Sequence, residues 1–173
     1  MDTFTKKRLA AALVVVAGSL GTGVALAAGG SARSSGPDYK YAGSGAFANA
    51  TATVHVVHKG NGGTLVTLHV VGVDAPTGQT FGAHVHQHSC GAVASDALGH
   101  YQDPTITAAL EDREVWLDFT VNAAGIGHAE AKRAWSLDET TQPRSVIIHA
   151  FPTNAVSGGA GPRLACIDLD GQA

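Results

Sequence analysis

The chain has 173 residues, a formal charge of −3 at pH 7, 22 glycines and only two cysteines. This length suffices for one domain with a sizeable core. Basic patches are the mark of nucleic-acid binding proteins, and the acidic balance of this chain excludes nucleic acid as an expected partner.

The first 27 residues have the pattern of a secretory signal peptide. Residues 6–8 are basic, an almost uncharged run of Ala, Val, Leu and Gly follows, and residues 25–27 read Ala-Leu-Ala, a cleavage signal. A permanent membrane anchor is the alternative, since a run of about 19 residues is just long enough to span a bilayer. The cleavage signal favours removal, so we expect no stable membrane span in the mature protein. We expect that protein to be secreted or to lie in the cell envelope.

Cleavage after Ala27 removes three of the eleven basic residues and one of the fourteen acidic ones, which leaves a formal charge of −5. The residues that follow are rich in Gly, Ser and Ala. We therefore predict a flexible linker at residues 28–46 and a folded domain at residues 47–173.

Most of the mature chain is predicted to form short β-strands, because β-branched and apolar runs alternate with turns rich in Gly, Asn and Pro. Two such runs flank Gly60-Asn61-Gly62-Gly63, which indicates a β-hairpin. Residues 105–112 have the only helical turn that we predict. The predicted strands are residues 52–58, 64–73, 81–86, 115–121, 127–135, 145–150 and 163–169. This pattern predicts an all-β fold, an antiparallel Greek-key barrel or sandwich.

Export also bears on the two cysteines. An oxidising compartment favours a disulfide between Cys90 and Cys166. Two free buried thiols are the alternative.

Four histidines predict a transition-metal site. His84 and His86 are two residues apart in a predicted strand, so their side chains point to the same face. A closed β fold can bring His100 and His149 to them. Imidazole binds copper, zinc, iron and nickel alike, but an all-histidine set can hold copper in both of its oxidation states. His88 continues the alternation close to Cys90, where the strand is expected to end, so a surface position is favoured over a ligand role. The histidines assigned to strand surfaces are His55, His58, His69 and His128.

Four motifs resemble the successive motifs of the copper/zinc superoxide dismutase family. They are GAHVH at residues 82–86, GHY at residues 99–101, VIIH at residues 146–149 and GGAGPRLAC at residues 158–166. The resemblance covers about residues 47–169. It implies a Greek-key β-barrel with one intrachain disulfide, and an enzyme that converts superoxide to dioxygen and hydrogen peroxide.

The resemblance also implies roles for individual residues. Arg163 would attract and position the superoxide anion. His100 would lie where the family has an imidazolate between copper and zinc, and would take part in catalysis. One copper ion per chain would be bound by His84, His86, His100 and His149, and Cys90 and Cys166 would form the family's disulfide.

The sequence departs from the family at the zinc subsite. In the family, two further histidines and an aspartate follow the bridging histidine, whereas residues 101–118 contain no histidine. We therefore expect a copper-only protein without zinc, similar to secreted bacterial members of the actinobacterial type. A carboxylate is then expected to orient His100 through its other ring nitrogen. Glu114 and Asp118 are the candidates.

Two other functions are compatible with the motifs. A non-catalytic copper-binding or copper-buffering protein of the cell envelope needs the histidines, but it has no evident need of Arg163. A cupin-type oxygenase also has His-x-His on a β-barrel, but no glutamate follows His86 at short spacing. The sequence does not define the oligomeric state, for which a monomer is favoured.

Overall fold

The computed structural model describes residues 31–137 and 144–169. The predicted signal peptide lies outside these residues. No helix within them is long and apolar enough to cross a membrane. Helical structure in this part of the chain is limited to α1 (Leu110–Arg113) and two 3-10 turns, Ser44–Phe47 and Ala94–Ala97. The strands are β1 (Ser31–Gly36), β2 (Tyr39–Lys40), β3 (Thr51–His58), β4 (Thr64–Val71), β5 (Thr80–Phe81), β6 (Ala83–His86), β7 (Phe119–Thr120), β8 (Gly127–Arg133), β9 (Arg144–His149) and β10 (Arg163–Leu169).

The strands form two antiparallel four-stranded sheets. Sheet 1 has the order β1-β3-β4-β8, sheet 2 has the order β2-β10-β9-β6, and β5 pairs with β7 apart from both. Strand β4 pairs with β8, and β6 with β9, although each pair is far apart in sequence. The predicted all-β class is therefore confirmed.

The predicted hairpin is also confirmed. Strands β3 and β4 pair from Thr51 opposite Val71 to His58 opposite Thr64. At the turn, the Gly62 N–H donates to the Lys59 carbonyl at 2.9 Å. Gly62 has a φ of +83°, a conformation that glycine adopts without strain.

Sheet 2 is buried on both faces. On its inner face Val85, Val146 and Ile148 join the core shared with sheet 1. The alternate residues His84 and His86 point to the opposite face and are also fully buried. The loops at residues 87–118 and 150–162 cover that face, since Ala97 and Cys90 pack against Ile147 and Cys166, and Thr153 hydrogen-bonds to His84. A polar site can therefore form there, shielded from water.

Residues 31–46 differ from the predicted linker. All of β1 pairs with β3, from Ser31 opposite Val57 to Gly36 opposite Ala52, and β2 pairs with β10. The linker prediction is therefore wrong for these strands. Composition misled it because edge strands are held by backbone hydrogen bonds, which Ser and Gly residues form as readily as Val or Ile residues.

The predicted strand at residues 115–121 is shorter in the structure, where only Phe119–Thr120 forms β7. The preceding residues run irregularly beside β6. Val85 N–H donates to the Val115 carbonyl at 3.1 Å, and Leu117 N–H donates to the Ala83 carbonyl at 2.7 Å. This path brings the segment that starts at residue 114 alongside the two histidines of β6. The predicted helical turn is present only as α1, at its C-terminal end.

The predicted disulfide joins Cys90 to Cys166. It ties the loop that follows β6 to β10. Cys166 is fully buried and packs with Ala97 and Ile147. The Cys90 N–H also donates to the Asp168 carboxylate at 2.6 Å. The loop is thus anchored to sheet 2 by a covalent bond and a charge-assisted hydrogen bond.

We expect the double variant Cys90→Ser/Cys166→Ser to be less stable than the wild type by roughly 4 kcal/mol. The bond closes a chain segment with a sequence separation of 76, and a closed loop of this length restricts the unfolded chain strongly. Urea unfolding monitored by tryptophan fluorescence measures the difference. The variant Ser95→Ala, in the same loop, is the control. Equal midpoints for the double variant and the wild type would contradict the prediction.

Candidate metal centre

Four imidazoles converge on the covered face of sheet 2. His84 and His86 come from β6, His149 ends β9, and His100 lies in the loop between the second 3-10 turn and α1. Each contributes a ring nitrogen, and these four atoms lie within 4.8 Å of one another. His84, His86 and His149 are buried, whereas the His100 side chain is 18% exposed. The structure therefore brings the four predicted ligands together.

Backbone carbonyls orient two of the rings. The Nδ1 atom of His86 lies 3.0 Å from the Leu98 carbonyl, and that of His149 lies 3.0 Å from the Gly161 carbonyl. Because a carbonyl oxygen only accepts, each Nδ1 carries the proton and each Nε2 carries a lone pair. The two Nε2 atoms are 3.4 Å apart. Two lone pairs this close suit a shared metal ion.

A hydroxyl and a carboxylate orient His84. The Thr153 Oγ1 atom lies 2.7 Å from His84 Nε2 and 2.5 Å from Asp118 Oδ1. The single hydroxyl proton goes to the carboxylate, which can only accept, so the hydroxyl accepts the Nε2–H of His84. The other ring nitrogen, Nδ1, is then unprotonated. It is buried and has no hydrogen-bond partner, as expected of a ligand atom.

Glu114 orients His100. The Nδ1 atom of His100 lies 2.9 Å from Glu114 Oε2. Trp116 Nε1 donates to the same oxygen at 2.6 Å, and Gln102 Nε2 donates to the other oxygen at 2.7 Å. Burial alone would raise the pKa of Glu114, but the hydrogen bonds from His100, Trp116 and Gln102 hold it below its ordinary value. A charged carboxylate therefore fixes the His100 ring and leaves its Nε2 free.

Of the two carboxylates predicted to orient His100, the structure places only Glu114 against it. Asp118 accepts hydrogen bonds from the hydroxyl and N–H groups of Thr153 and from the Ala83 N–H. It therefore supports His84 instead. The prediction of Asp118 as a partner of His100 is wrong, because the irregular path of residues 115–118 sends its side chain towards the loop after β9.

Burial keeps three of the imidazoles neutral at pH 7. Desolvation, followed by the proximity of His100 and His149, lowers the pKa of His84 to about 2. Desolvation, with the nearby charge of Arg163, lowers the pKa of His86 to about 2. Desolvation also lowers the pKa of His149 to about 4, although the hydrogen bond to Gly161 opposes it. Neutral imidazoles have the lone pair that metal binding needs.

Arg163 lies beside the group. It is opposite His149 in the pairing of β10 with β9. Its guanidinium donates to the Ala94 carbonyl at 2.5 Å and also to the Leu98 carbonyl. The Leu98 carbonyl is therefore shared between Arg163 and His86. These bonds hold a half-buried positive charge close to the four imidazoles.

His88 is exposed and is not a member of the four-histidine group. Sequence reasoning missed several residues that orient the rings. Leu98 and Gly161 act through backbone carbonyls, for which side-chain patterns give no signal. Thr153 and Trp116 act through side chains, but no spacing rule connects them to a particular histidine.

Comparison with known proteins bears on the fold. No protein-family model matches the chain, and no curated protein matches it. Several solved structures resemble it, including the following three. The clock protein EA4 is 13% identical with a TM-score of 0.52, over 80% of this chain and 93% of that chain. A double mutant of a superoxide dismutase-like protein from Bacillus subtilis is 14% identical with a TM-score of 0.51, over 69% and 89% of the two chains. A mutant of Candida albicans superoxide dismutase 5 is 19% identical with a TM-score of 0.50, over 84% and 92%.

The chain has the superoxide dismutase fold. At these identities the likeness concerns the fold alone. The case for metal binding rests on the four imidazoles themselves.

The buried imidazoles predict that the metal-free protein loses stability on mild acidification. The pKa values of His84, His86 and His149 lie below the ordinary value of 6.5 in the folded protein. The unfolded chain therefore binds more protons below pH 6.5, and this stability is lost as the pH falls from there towards 4. Each group contributes about 1.4 kcal/mol per pH unit, so the combined slope approaches roughly 4 kcal/mol per pH unit.

Urea unfolding of the metal-free protein between pH 7 and pH 5 measures this slope. In the variant His149→Asn one titrating group is removed, so we expect the slope to fall by about 1.4 kcal/mol per pH unit. In the variant His55→Asn, which changes a histidine outside the group, we expect no change. Constant stability over this pH range would show that the buried imidazoles do not stay neutral.

Proposed function

We propose that the protein is a copper-dependent superoxide dismutase that acts outside the cytoplasm, and that His84, His86, His100 and His149 bind one copper ion per chain. The observation that carries the proposal is the convergence of four histidine ring nitrogens within 4.8 Å, beside a fixed guanidinium. A set of imidazoles without thiolate or carboxylate suits copper in both of its oxidation states. The fold is the one on which superoxide dismutases are built.

Copper, when bound, supplies one-electron chemistry, in which one superoxide ion is oxidised to dioxygen and a second is reduced to hydrogen peroxide. Arg163 binds and orients the anion. A guanidinium stays charged at every working pH and has five N–H donors. The carbonyls of Ala94 and Leu98 hold it in place, and its remaining donors are available to a small anion.

His100 is the member of the group that we assign to proton transfer. It is the most exposed of the four, and its Nδ1 proton is held by Glu114. Nε2 would therefore hold either copper or a proton, but not both at once. The hydrogen bond from Nδ1 to Glu114 keeps the ring in position while Nε2 is protonated.

We propose that copper is the only metal at this site. A second ion next to the first would have to bind His100 through Nδ1. That atom is hydrogen-bonded to Glu114, whose two oxygens also accept from Trp116 and Gln102. This arrangement supports Glu114 as the group that takes over the orienting role of zinc.

A non-catalytic copper-binding protein is the second candidate. One observation favours it. The bonds from Arg163 to the carbonyls of Ala94 and Leu98 are also what a purely structural arginine would make. Turnover is the property that separates the two functions.

We expect the copper-loaded protein to consume superoxide and to contain about one copper and no zinc. Stopped-flow measurement of superoxide decay and elemental analysis of the metal content check this. The variant His149→Asn should lose both copper and activity. The variant Arg163→Gln should keep its copper but lose activity roughly 10-fold, because it removes charge-assisted donors to the anion. Copper binding without superoxide decay would instead support the second candidate.

We expect Glu114→Gln to lower copper affinity or activity roughly 10-fold, because groups that orient metal-bound histidines have effects of this size. The substitution keeps the shape of the side chain and removes its charge. Copper retention against a chelator, the pH profile of activity and the Cu²⁺ electron paramagnetic resonance spectrum are the measurements.

Glu111→Gln is the matched control, since Glu111 is an exposed residue of α1. It should leave all three measurements unchanged. If Glu114→Gln also leaves them unchanged, then Glu114 does not orient His100 in the metal-loaded protein.

A further inference from the structure

A second pair of histidines lies on the outer face of sheet 1, across the core from the four imidazoles. His69 of β4 and His128 of β8 are direct partners in the antiparallel register. Both side chains are exposed, and their ring centroids are 6.3 Å apart. The inner faces of β4 and β8 are occupied by core residues such as Val70 and Ala129. The pair is therefore separate from the site described above.

The spacing of these two rings falls within the range found in the four-histidine group. Within the four-histidine group the ring centroids are between 4.0 Å and 6.5 Å apart. Directly opposed residues of antiparallel strands have Cβ atoms about 5 Å apart, so side-chain rotation alone brings two ring nitrogens to one ion. Within residues 31–137 and 144–169, neither ring takes part in a hydrogen bond or an ion pair. Binding therefore breaks no polar contact between these rings and the described residues.

Glu130 adds a carboxylate to the same surface. It follows His128 by two residues on β8 and is opposite Thr67, which precedes His69 by two residues on β4. The side chains of these residues therefore share one face of the sheet. Glu130 pairs with Lys132 at 2.7 Å, and both are exposed. Exposed ion pairs of this kind contribute little to stability, so the Glu130 side chain can turn from Lys132 towards a metal ion.

We propose that His69 and His128 bind a divalent transition-metal ion at the protein surface, with Glu130 as a third ligand. Two imidazoles and a carboxylate are donors that suit zinc, nickel and copper, and Cu²⁺ binds such sets most tightly. The ion links β8, an edge strand of sheet 1, to its neighbour β4. Because both rings are exposed, the ion enters directly from solution. This proposal does not depend on the dismutase function.

Titration of the metal-free full-length protein with Cu²⁺, followed by isothermal calorimetry and electron paramagnetic resonance, tests the proposal. We expect two distinct Cu²⁺ equivalents in the wild type. The variants His69→Asn and His128→Asn should each lose the weaker equivalent and keep the tighter one. His55→Asn is the matched control, since His55 is on the outer face of β3, opposite Thr67, and should keep both. Circular dichroism verifies that all three variants fold.

The two metal sites can be tested separately. His149→Asn should lose the tighter equivalent and keep the weaker one, so a failure of the dismutase proposal leaves this test intact. Retention of the weaker equivalent in both His69→Asn and His128→Asn would overturn the surface site. Its loss in His55→Asn as well would place the ion elsewhere on the sheet. If the variant Glu130→Gln binds the weaker Cu²⁺ equivalent with unchanged affinity, then Glu130 is not a ligand.

Discussion

The burial of β6 on both faces is the constraint on which the candidate metal centre depends. Alternation along four residues places Ala83 and Val85 in the core and turns His84 and His86 to the other side of sheet 2. If this face of sheet 2 were exposed to water, the two rings would titrate near their ordinary pKa. Under the covering loops, desolvation lowers the pKa of both to about 2. The cover thus keeps the imidazoles in the neutral form that can donate electron pairs to a metal.

The same loops decide which nitrogen of each ring is free. The acceptors are the carbonyls of Leu98 and Gly161, the hydroxyl of Thr153 and the carboxylate of Glu114. Each comes from a segment outside the sheet. The Leu98 segment is held by the Cys90–Cys166 disulfide and by the hydrogen bonds from Arg163. Because the loops are anchored to sheet 2, they hold the histidine ring nitrogens in position before a metal binds.

The sequence predicts those parts of this arrangement that depend on a pattern within one segment. It does not predict the parts that depend on contacts between distant segments. His-x-His in a strand places two candidate ligands on one face by alternation alone, and two cysteines have only one possible pairing. Which of Glu114 and Asp118 orients His100 depends on the irregular path of residues 115–118 beside β6. The periodicity of side chains in the sequence does not predict this path. The strand β1 was missed because backbone pairing with β3 leaves no signal in its sequence of mostly small residues. Leu98 and Gly161 were missed for the same reason, since they contribute carbonyls.

Two histidine pairs of this chain show why spacing must be read together with burial. His84 and His86 share one strand, whereas His69 and His128 face each other across two strands, and both geometries bring imidazoles within reach of a common ion. In the buried pair, hydrogen-bond partners fix the orientation of both rings, and burial disfavours the protonated imidazolium. The protein therefore sets the positions of the two ring nitrogens. The exposed pair keeps its rotational freedom, so an ion must order the rings as it binds, which lowers its affinity. We therefore expect tight binding at the first site and weak, exchangeable binding at the second, although both use the same residue type.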